Sequence, residues 1–348
     1  MTQYHEAPAF LHLIDLASAA FGGQTLVASD EFFAPKENLI QPGRGIYLPD
    51  KYTERGKWMD GWESRRKRTS GNDWCIIKLG TPGVIRGVDI DTNHFLGNHP
   101  PHASIEGICV EQEPAEGWES ATWTPLLTQS ELKAGSQNLF PIDSEQTWTH
   151  VRLSIYPDGG VARLHVYGDV QATWGHHPDD EDLTSQLKPG EVDLVAARNG
   201  GLALSCSDMF FSPMNNVILP GRGSNMGQGW ETRRRRGAGN DWMILRLGAP
   251  GTLTWIEVDT NHFKGNYPNK CSIEGVNHPH ATAEELKAKD APWAPVLAPT
   301  LMEAHHRHHF RQELLNEGPF THVRLNIFPD GGVSRLRLYG LRDEGPTP

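Results

Sequence analysis

Residues 149–168 read THVRLSIYPDGGVARLHVYG, and residues 321–340 read THVRLNIFPDGGVSRLRLYG. The two segments are identical at 15 of 20 positions. On either side of PDGGV, apolar and polar side chains alternate, as with Val151, Leu153 and Ile155 in the first segment. This alternation is typical of antiparallel strands with one buried face, and glycine after Pro-Asp supplies the positive φ of a tight turn. We therefore predict two strands joined by a turn, present twice in the chain, with a ligand role for Asp158 as the less favoured alternative.

The repetition extends outward from this segment over most of the chain. Residues 62–107 align without gaps to residues 230–275, with 26 of 46 positions identical, and residues 29–45 match residues 207–223 at 11 of 17. Internal repeats of this length indicate a duplicated domain. The predicted organisation is an N-terminal arm (1–10), a first repeat (11–170), a linker (171–189) with acidic residues at 179–182, a second repeat (190–341) and a C-terminal tail (342–348).

Composition and periodicity together predict an all-β fold. Glycine and proline total 36 + 25 = 61 of 348 residues, about 17.5% against a usual ~12%, and both interrupt helices. Alternating strands are predicted at 73–79 and 87–93, and only the segment around 13–21 looks helical, with Gly22 as its C-terminal stop. Each repeat is therefore predicted to be a β-sandwich of jelly-roll type. Separately, the endings ARLHVYG (162–168) and SRLRLYG (334–340) resemble the last strand of galactose-binding-like jelly rolls.

Charge and cysteine usage exclude several classes of protein. The net charge of −11 argues against a nucleic-acid binder, and no run of about 18 apolar residues is present to span a membrane. The N-terminus lacks the basic region of a secretory signal. Cysteines 75, 109, 206 and 271 are widely spaced, which favours reduced thiols and a cytoplasmic location over a disulfide framework.

Several polar positions are unchanged between the repeats, although polar side chains vary freely on an ordinary surface. Core positions, in contrast, change conservatively. Unchanged polar side chains need a partner, which is a ligand, a turn or another such side chain. In the first repeat they are Glu63, Arg65, Arg66, Arg68, Asn72, Asp73, Asp91, Asn93, His94, Asn98 and Asp158. Their counterparts are Glu231, Arg233, Arg234, Arg236, Asn240, Asp241, Asp259, Asn261, His262, Asn266 and Asp330.

The arginine-rich runs at 61–68 and 229–236 have two competing interpretations. Alternating arginines often form a solvated face. Planar guanidinium groups also bind carboxylates through two parallel hydrogen bonds, which favours recognition of an anionic ligand by at least one arginine. A nucleic-acid or nuclear-localisation role is disfavoured because the protein is acidic.

The motif DTNHFxGN (91–98, 259–266) indicates acid–base chemistry or a structured turn. The strand period places Thr92 toward the core and Asp91 and Asn93 outward, with His94 opening the next loop. A carboxylate beside an imidazole forms an acid–base pair suited to neutral pH. The alternative is that Asp91 and Asn93 make turn bonds. A divalent metal is possible, but the spacing is not that of a strong ligand set, so no cofactor is predicted.

Two features distinguish the repeats. The first repeat has ten extra residues, because Arg44 lies 18 positions before Trp62 whereas Arg222 lies 8 before Trp230. This insert (46–60) is interpreted as a lid over one site, an oligomer contact or a long loop. The second repeat alone has a histidine-rich stretch at 305–309, for which a variable loop is favoured over a metal site.

At these motifs the sequence resembles the allantoicase family. The resemblance rests on SDEFFAPKENLI, GKWMDGWESRRKR, DTNHFLGNHP and THVRLSIYPDGGVARLHVYG, together with the matching segments of the second repeat, and covers nearly the whole chain. It implies hydrolysis of allantoate to (S)-ureidoglycolate and urea in purine (allantoin) degradation, and a homo-oligomeric enzyme. It also implies a small-molecule partner and neither nucleic acid nor membrane.

The residues agree with this chemistry. Allantoate has a carboxylate for arginine to bind, and ureido groups for amides and carboxylates. The hypothesis is that His94 or a nearby carboxylate is the general acid, while a second such group activates water or takes a ureido proton. The catalytic candidates are His94, Asp91, Glu63, Asp73, His262, Asp259, Glu231 and Asp241. The binding candidates are Arg65, Arg66, Arg68, Asn72, Asn93, Asn98, Arg233, Arg234, Arg236, Asn240, Asn261 and Asn266. The alternatives are a tandem carbohydrate- or ligand-binding protein and a related ureide-processing enzyme.

Overall fold

A computed structural model describes residues 7–115, 117–175, 183 and 185–343 of the chain. The chain divides into two units, Met1–Gln171 (unit 1) and Ala172–Pro348 (unit 2). The finer boundaries of the arm, linker and tail remain predictions. Residues 1–6, the acidic residues 179–182 and residues 344–348 lie outside the described part of the chain.

Unit 1 is built almost entirely of β-strands. They are β1 Ile14–Asp15, β2 Gln24–Ala28, β3 Tyr52–Thr53, β4 Gly56–Lys57, β5 Trp62–Glu63, β6 Asp73–Asp91, β7 His102–Ile108, β8 Thr124–Glu131, β9 Leu139–Pro141, β10 Thr147–Tyr156, β11 Gly160–Val161 and β12 Arg163–Val170. Short 3₁₀-helices cover Ala9–His12, Ala19–Phe21 and Lys36–Ile40.

Unit 2 repeats this order without the β3–β4 hairpin. Its strands are β13 Val192–Asp193, β14 Leu202–Cys206, β15 Trp230–Glu231, β16 Asp241–Asp259, β17 Lys270–Val276, β18 Ala294–Leu301, β19 Arg307–Phe310, β20 Phe320–Phe328, β21 Gly332–Val333 and β22 Arg335–Arg342. It also contains 3₁₀-helices at Ala197–Asn199, Met214–Ile218 and Met226–Gln228, and the α-helix Ala283–Lys287. The prediction of two all-β sandwiches from a duplication is confirmed.

One long strand organises each unit. The first half of β6 pairs with β2 and β10, and the second half pairs with β12 and β9. The sheet order is β1-β12-β6-β10-β7-β8, and unit 2 has the matching order β13-β22-β16-β20-β17-β18. Two strands were predicted at 73–79 and 87–93, whereas the structure has one continuous strand of 19 residues. A strand that changes partners along its length connects two sets of strands in a β-sandwich.

The helix predicted around 13–21 is wrong. Ile14 and Asp15 instead pair with Gly168 and Tyr167 at the edge of β12, and the Asp15 carboxylate accepts the Val166 amide at 2.9 Å. Pairing to an existing strand outweighs the weak helical preference of so short a segment. The stop at Gly22 is confirmed, because this residue has φ 98° and caps the Ala19–Phe21 turn.

The PDGGV segments form the turns expected of them, with Gly159 at φ 139° and Gly331 at φ 136°. In contrast, the histidine-rich stretch is not a simple loop. Residues 307–310 form β19, which pairs with β16, and His308 is buried with its ring between the Val258 carbonyl and the Glu303 amide. No helix among the described residues has the length and apolar character of a membrane crossing.

Candidate active site

The first element of the site is a short strand pair that holds Glu63. β5 pairs with β11, so that Glu63 lies opposite Gly160. The neighbouring Trp62 is fully buried and donates its indole N–H to the Asp30 carbonyl at 2.8 Å. A large buried aromatic ring fixes the strand to the core, and the adjacent Glu63 side chain is half-buried.

Asn98 lies against Glu63, although 35 residues separate them in the chain. Its Nδ2 donates to Glu63 Oε1 at 2.7 Å, and its carbonyl accepts the Gly160 amide at 2.8 Å. A Cβ on Gly159 would lie 2.7 Å from that same carbonyl, so the PDGG turn packs too closely on the loop for a larger residue. The turn therefore positions the Glu63–Asn98 pair.

His94 adopts a backbone conformation that side-chain-bearing residues rarely take. Its φ is 69°, and the turn is closed by the Phe95 amide donating to the Thr92 carbonyl at 2.9 Å. Phe95 is fully buried beneath the turn. Left-handed conformations of non-glycine residues cluster at functional sites, and here the turn directs the imidazole beside the ring of Tyr47, with the centroids 5.6 Å apart.

A pocket of about 730 Å³ brings these side chains together with the insert. Half of its lining comes from parts of the fold that both repeats share: Phe33, Glu63, His94, Leu96, Gly97 and Asn98. The other half comes from the insert: Tyr47, Tyr52, Arg55, Gly56, Lys57 and Met59. Of the three interpretations of the insert, the structure supports a cover over one site.

The electrostatics of the pocket combine one acid with two cations. Burial raises the pKa of the Glu63 carboxyl above its ordinary value, and the hydrogen bond from Asn98 offsets part of that rise. Among the described residues, Glu63 Oε2 makes no hydrogen bond. Arg55 and Lys57 add positive charge to the lining. The arrangement suits an anionic ligand and proton transfer at a free carboxylate oxygen.

Asp91 does not face outward as the strand period predicted. It is fully buried, and its two oxygens accept bonds from Arg44 Nε at 2.8 Å and Nη2 at 2.9 Å, with a third from the Asn93 amide. The Asn93 side chain donates to the Gly45 carbonyl at 2.8 Å. Because a bidentate arginine compensates the buried charge, the structure gives Asp91 and Asn93 a role in fixing the loop that precedes the insert.

Asp73 and Asn72 are also held by the protein itself. Asp73 Oδ1 accepts bonds from Ser29 Oγ at 2.9 Å and Lys67 Nζ at 2.8 Å, and Asn72 donates to the Asp73 carbonyl. Asp158 accepts the Lys67 amide at 2.7 Å. In unit 2, Asp241, Asn240 and Asp330 make the corresponding contacts. None of these side chains lines the pocket.

The arginines of the 61–68 run lie apart from the pocket. Arg65 pairs with Asp30 at 2.7 Å and lies over the Phe32 ring, while Arg66 and Arg68 are exposed. Arg233, Arg234 and Arg236 repeat this pattern, with Arg233 paired to Asp208. The structure thus brings together Glu63, His94 and Asn98 from the predicted set, but not the arginines.

In unit 2 the corresponding side chains keep most of these contacts, but Asn266 and His262 have additional partners. Asn266 donates to Glu231, as in unit 1, but its Nδ2 also lies 3.8 Å from Met226 Sδ. The His262 ring contacts the Gly223 carbonyl at 2.9 Å, and the His262 amide donates to the His305 ring. Asp259 is buried and paired with Arg222, and Asn261 donates to Gly223.

Sequence reasoning singled out the insert, including Lys57, but gave no binding role to Lys57 or Arg55. It also missed Arg44, the partner of Asp91. Arg44 is unchanged between the repeats, so the same comparison contained that signal. The insert has no counterpart, so comparing repeats could not single out its residues. Within the described ranges, no group of three or more His, Cys, Asp or Glu side chains is arranged to hold a metal ion.

Comparison with known proteins agrees with these motifs. A family model described as "Allantoicase repeat" matches residues 14–171 and 192–343. A probable allantoicase of Pseudomonas aeruginosa (strain LESB58) is 48% identical, covering 95% of this chain and 96% of its own. An allantoicase of Dictyostelium discoideum is 47% identical, covering 93% and 86%.

A solved structure is similar as well. The crystal structure of allantoicase from Saccharomyces cerevisiae superposes with a TM-score of 0.78 at 34% identity, covering 94% of this chain and 92% of that one. The family model thus matches both repeats. The two relatives are identical to this chain at nearly half of the aligned positions, and the alignments cover almost all of it. The chain belongs to the allantoicase family.

Proposed function

We propose that this protein hydrolyses allantoate to (S)-ureidoglycolate and urea, in the pocket of unit 1. Membership of the allantoicase family supports the reaction. The observation that supports this location is the pair Glu63–Asn98 beside His94, with a carboxylate oxygen free of protein hydrogen bonds among the described residues. A base, an acid and an amide in one pocket can supply the proton transfers and the substrate contact that the proposed hydrolysis uses.

The proposed chemistry assigns one proton to each of two side chains. Water adds to the central carbon of allantoate while the bond from that carbon to one ureido nitrogen breaks. Glu63 takes a proton from the water, and His94, in its protonated form, gives a proton to the departing nitrogen. The products are ureidoglycolate and urea, and exchange with solvent restores both side chains. Asn98 Oδ1 accepts an N–H of the ureido group that remains.

The experiment is to measure urea release from allantoate by the full chain, with ureidoglycolate as the competing substrate. Urea from allantoate with ureidoglycolate as the second product is expected. No urea from allantoate would refute the proposal. Urea from ureidoglycolate alone would instead identify a related ureide-processing enzyme.

We also propose a cytoplasmic location and assembly into a homo-oligomer. The four cysteines are free, which fits a reducing compartment. The oligomer is an expectation from the family resemblance. Light scattering of the purified chain tests it, and a mass of about 39 kDa per particle would contradict it.

A further inference from the structure

We propose that the insert supplies the binding site for the substrate carboxylate, through Arg55 and Lys57, and so confines turnover to unit 1. This inference rests on the proposed function, because it assigns the anionic group of allantoate to particular side chains. It starts from a difference between the units. Both contain the Glu–Asn pair and the histidine, but only unit 1 has the insert.

The β3–β4 hairpin directs both cations toward the pocket. Tyr52 pairs with Lys57 across the hairpin. The Lys57 ammonium group lies 4.9 Å from the ring centroid of Tyr47 and 4.8 Å from that of Tyr52. The same ammonium group donates a hydrogen bond to the Pro49 carbonyl. This bond and the aromatic faces on two sides restrict the position of the ammonium group without neutralising it. Lys57 is therefore held as a charged side chain in the pocket wall.

Arg55 is fixed in a similar way from the turn of the hairpin. Its Nη1 donates to the Phe32 carbonyl at 2.8 Å, and its guanidinium lies 5.1 Å from the Phe32 ring centroid. Arg65 lies over the same ring but pairs with Asp30. Within the described ranges, neither Arg55 nor Lys57 forms an ion pair with a carboxylate. Two positioned cations that form no ion pair among the described residues favour an anionic ligand.

The insert is anchored at its base by a buried ion pair. Asp60 Oδ2 accepts the Ile46 amide at 2.9 Å and Arg163 Nη2 at 2.8 Å, which joins the two ends of the insert. Arg163 is only 3% exposed. The two ends of the insert that carries the hairpin are therefore attached to the core of unit 1 through Asp60.

Unit 2 lacks this charge and part of this space. The corresponding segment, residues 224–229, reads SNMGQG and contains no charged side chain. Its 3₁₀-helix Met226–Gln228 places the Met226 thioether beside Asn266. His305, from the histidine-rich stretch, accepts the His262 amide. Unit 2 thus keeps the side chains of the pair without the two insert cations, and it has Lys264 at the position of the pocket-lining Leu96.

The test is steady-state kinetics of the full chain with allantoate and with its uncharged carboxamide analogue. The variants are Arg55→Gln, Lys57→Gln and their combination. Lys51→Gln is the matched control, because Lys51 is an exposed cation of the insert that does not line the pocket. A charge-assisted hydrogen bond contributes enough to change affinity about tenfold or more.

The double variant is expected to raise KM for allantoate at least tenfold, with kcat within about threefold of wild type. The kinetics of the double variant with the carboxamide, measured as turnover or as inhibition of allantoate turnover, should match those of wild type. The variant Arg55→Lys keeps a positive charge, so its KM for allantoate should rise less than that of Arg55→Gln. Lys51→Gln should match wild type.

Two results would overturn the inference. If the double variant keeps the wild-type preference for allantoate over the carboxamide, the cations do not bind the carboxylate. If Glu231→Gln lowers turnover as much as Glu63→Gln, catalysis is not confined to unit 1. Wild-type protein that releases no urea would refute the proposed function instead, so the two failures are distinguishable.

Discussion

Replacing Glu63 by glutamine separates the chemistry of this side chain from its structural role. The amide oxygen of glutamine can still accept the 2.7 Å bond from Asn98, so the contact that positions the pair is kept. The substitution removes the ability to take a proton. Proton transfer by a positioned side chain contributes about 10²–10⁴-fold to a rate. We expect kcat to fall by that factor, which is about 2.7–5.4 kcal/mol at 1.36 kcal/mol per tenfold.

The same substitution should not destabilise the fold. Burial raises the pKa of the Glu63 carboxyl above the ordinary value of 4.5. The folded protein therefore holds this proton more firmly than the unfolded chain does. The stability that the group contributes is present at low pH and is lost as pH rises through the raised pKa. At neutral pH the wild type buries an ionised carboxylate at a cost in folding free energy, whereas the glutamine variant has no charge to bury. The variant should therefore melt at or above the wild-type temperature.

The assay is urea release at pH 7 together with thermal melting of the full chain. Glu231→Gln is the matched control, because Asn266 makes the equivalent hydrogen bond to Glu231 in unit 2. We expect the control to stay within threefold of wild type. A Glu63→Gln protein with more than a tenth of wild-type kcat would refute a proton-transfer role for Glu63. A large fall in melting temperature would refute the argument about its burial.

Three other predictions concern pH and stability. Because protonated Glu63 cannot accept a proton, kcat/KM should fall on acidification through a pKa above 4.5, and a pH–rate profile without that limb would contradict the assignment. Arg44→Met leaves the buried Asp91 without its ion pair. Breaking a buried ion pair normally lowers the free energy of unfolding by about 3–5 kcal/mol. Because Arg44 is half-exposed, we expect the free energy of unfolding to fall by about 2–3 kcal/mol. The melting temperature of unit 1, measured by calorimetry, should then fall by about 4–12 °C. An unchanged melting temperature would count against a structural role for Arg44. Burial lowers the pKa of His150 and of His322 to about 4. The unfolded chain therefore binds these protons first, and acidification from pH 6.5 to 4 should lower the free energy of unfolding of each unit, measured in urea, by about 3 kcal/mol. The variant His150→Gln should remove that pH dependence from unit 1.

Comparing the two repeats is enough to establish much about this protein. Alternation along 149–168 and 321–340 specified antiparallel strands, because the side-chain period of a strand is visible in a local stretch of sequence. The duplication followed from identity at matched positions. The unchanged polar set included Glu63, His94 and Asn98, because side chains with fixed partners cannot vary as surface residues do.

Which members of that set meet depends on tertiary contacts. Local periodicity assigns Asp91 to the outer face, but a bidentate ion pair with Arg44, 47 residues away, allows its charge to be buried. Glu63 and Asn98 become neighbours because β5 pairs with β11 and the PDGG turn packs on the intervening loop. Arg55 and Lys57 enter the pocket through a hairpin that only one repeat has. Strand period and residue identity are local properties that a sequence records directly, whereas a binding site is formed by contacts between distant segments, and these exist only once the strands have paired.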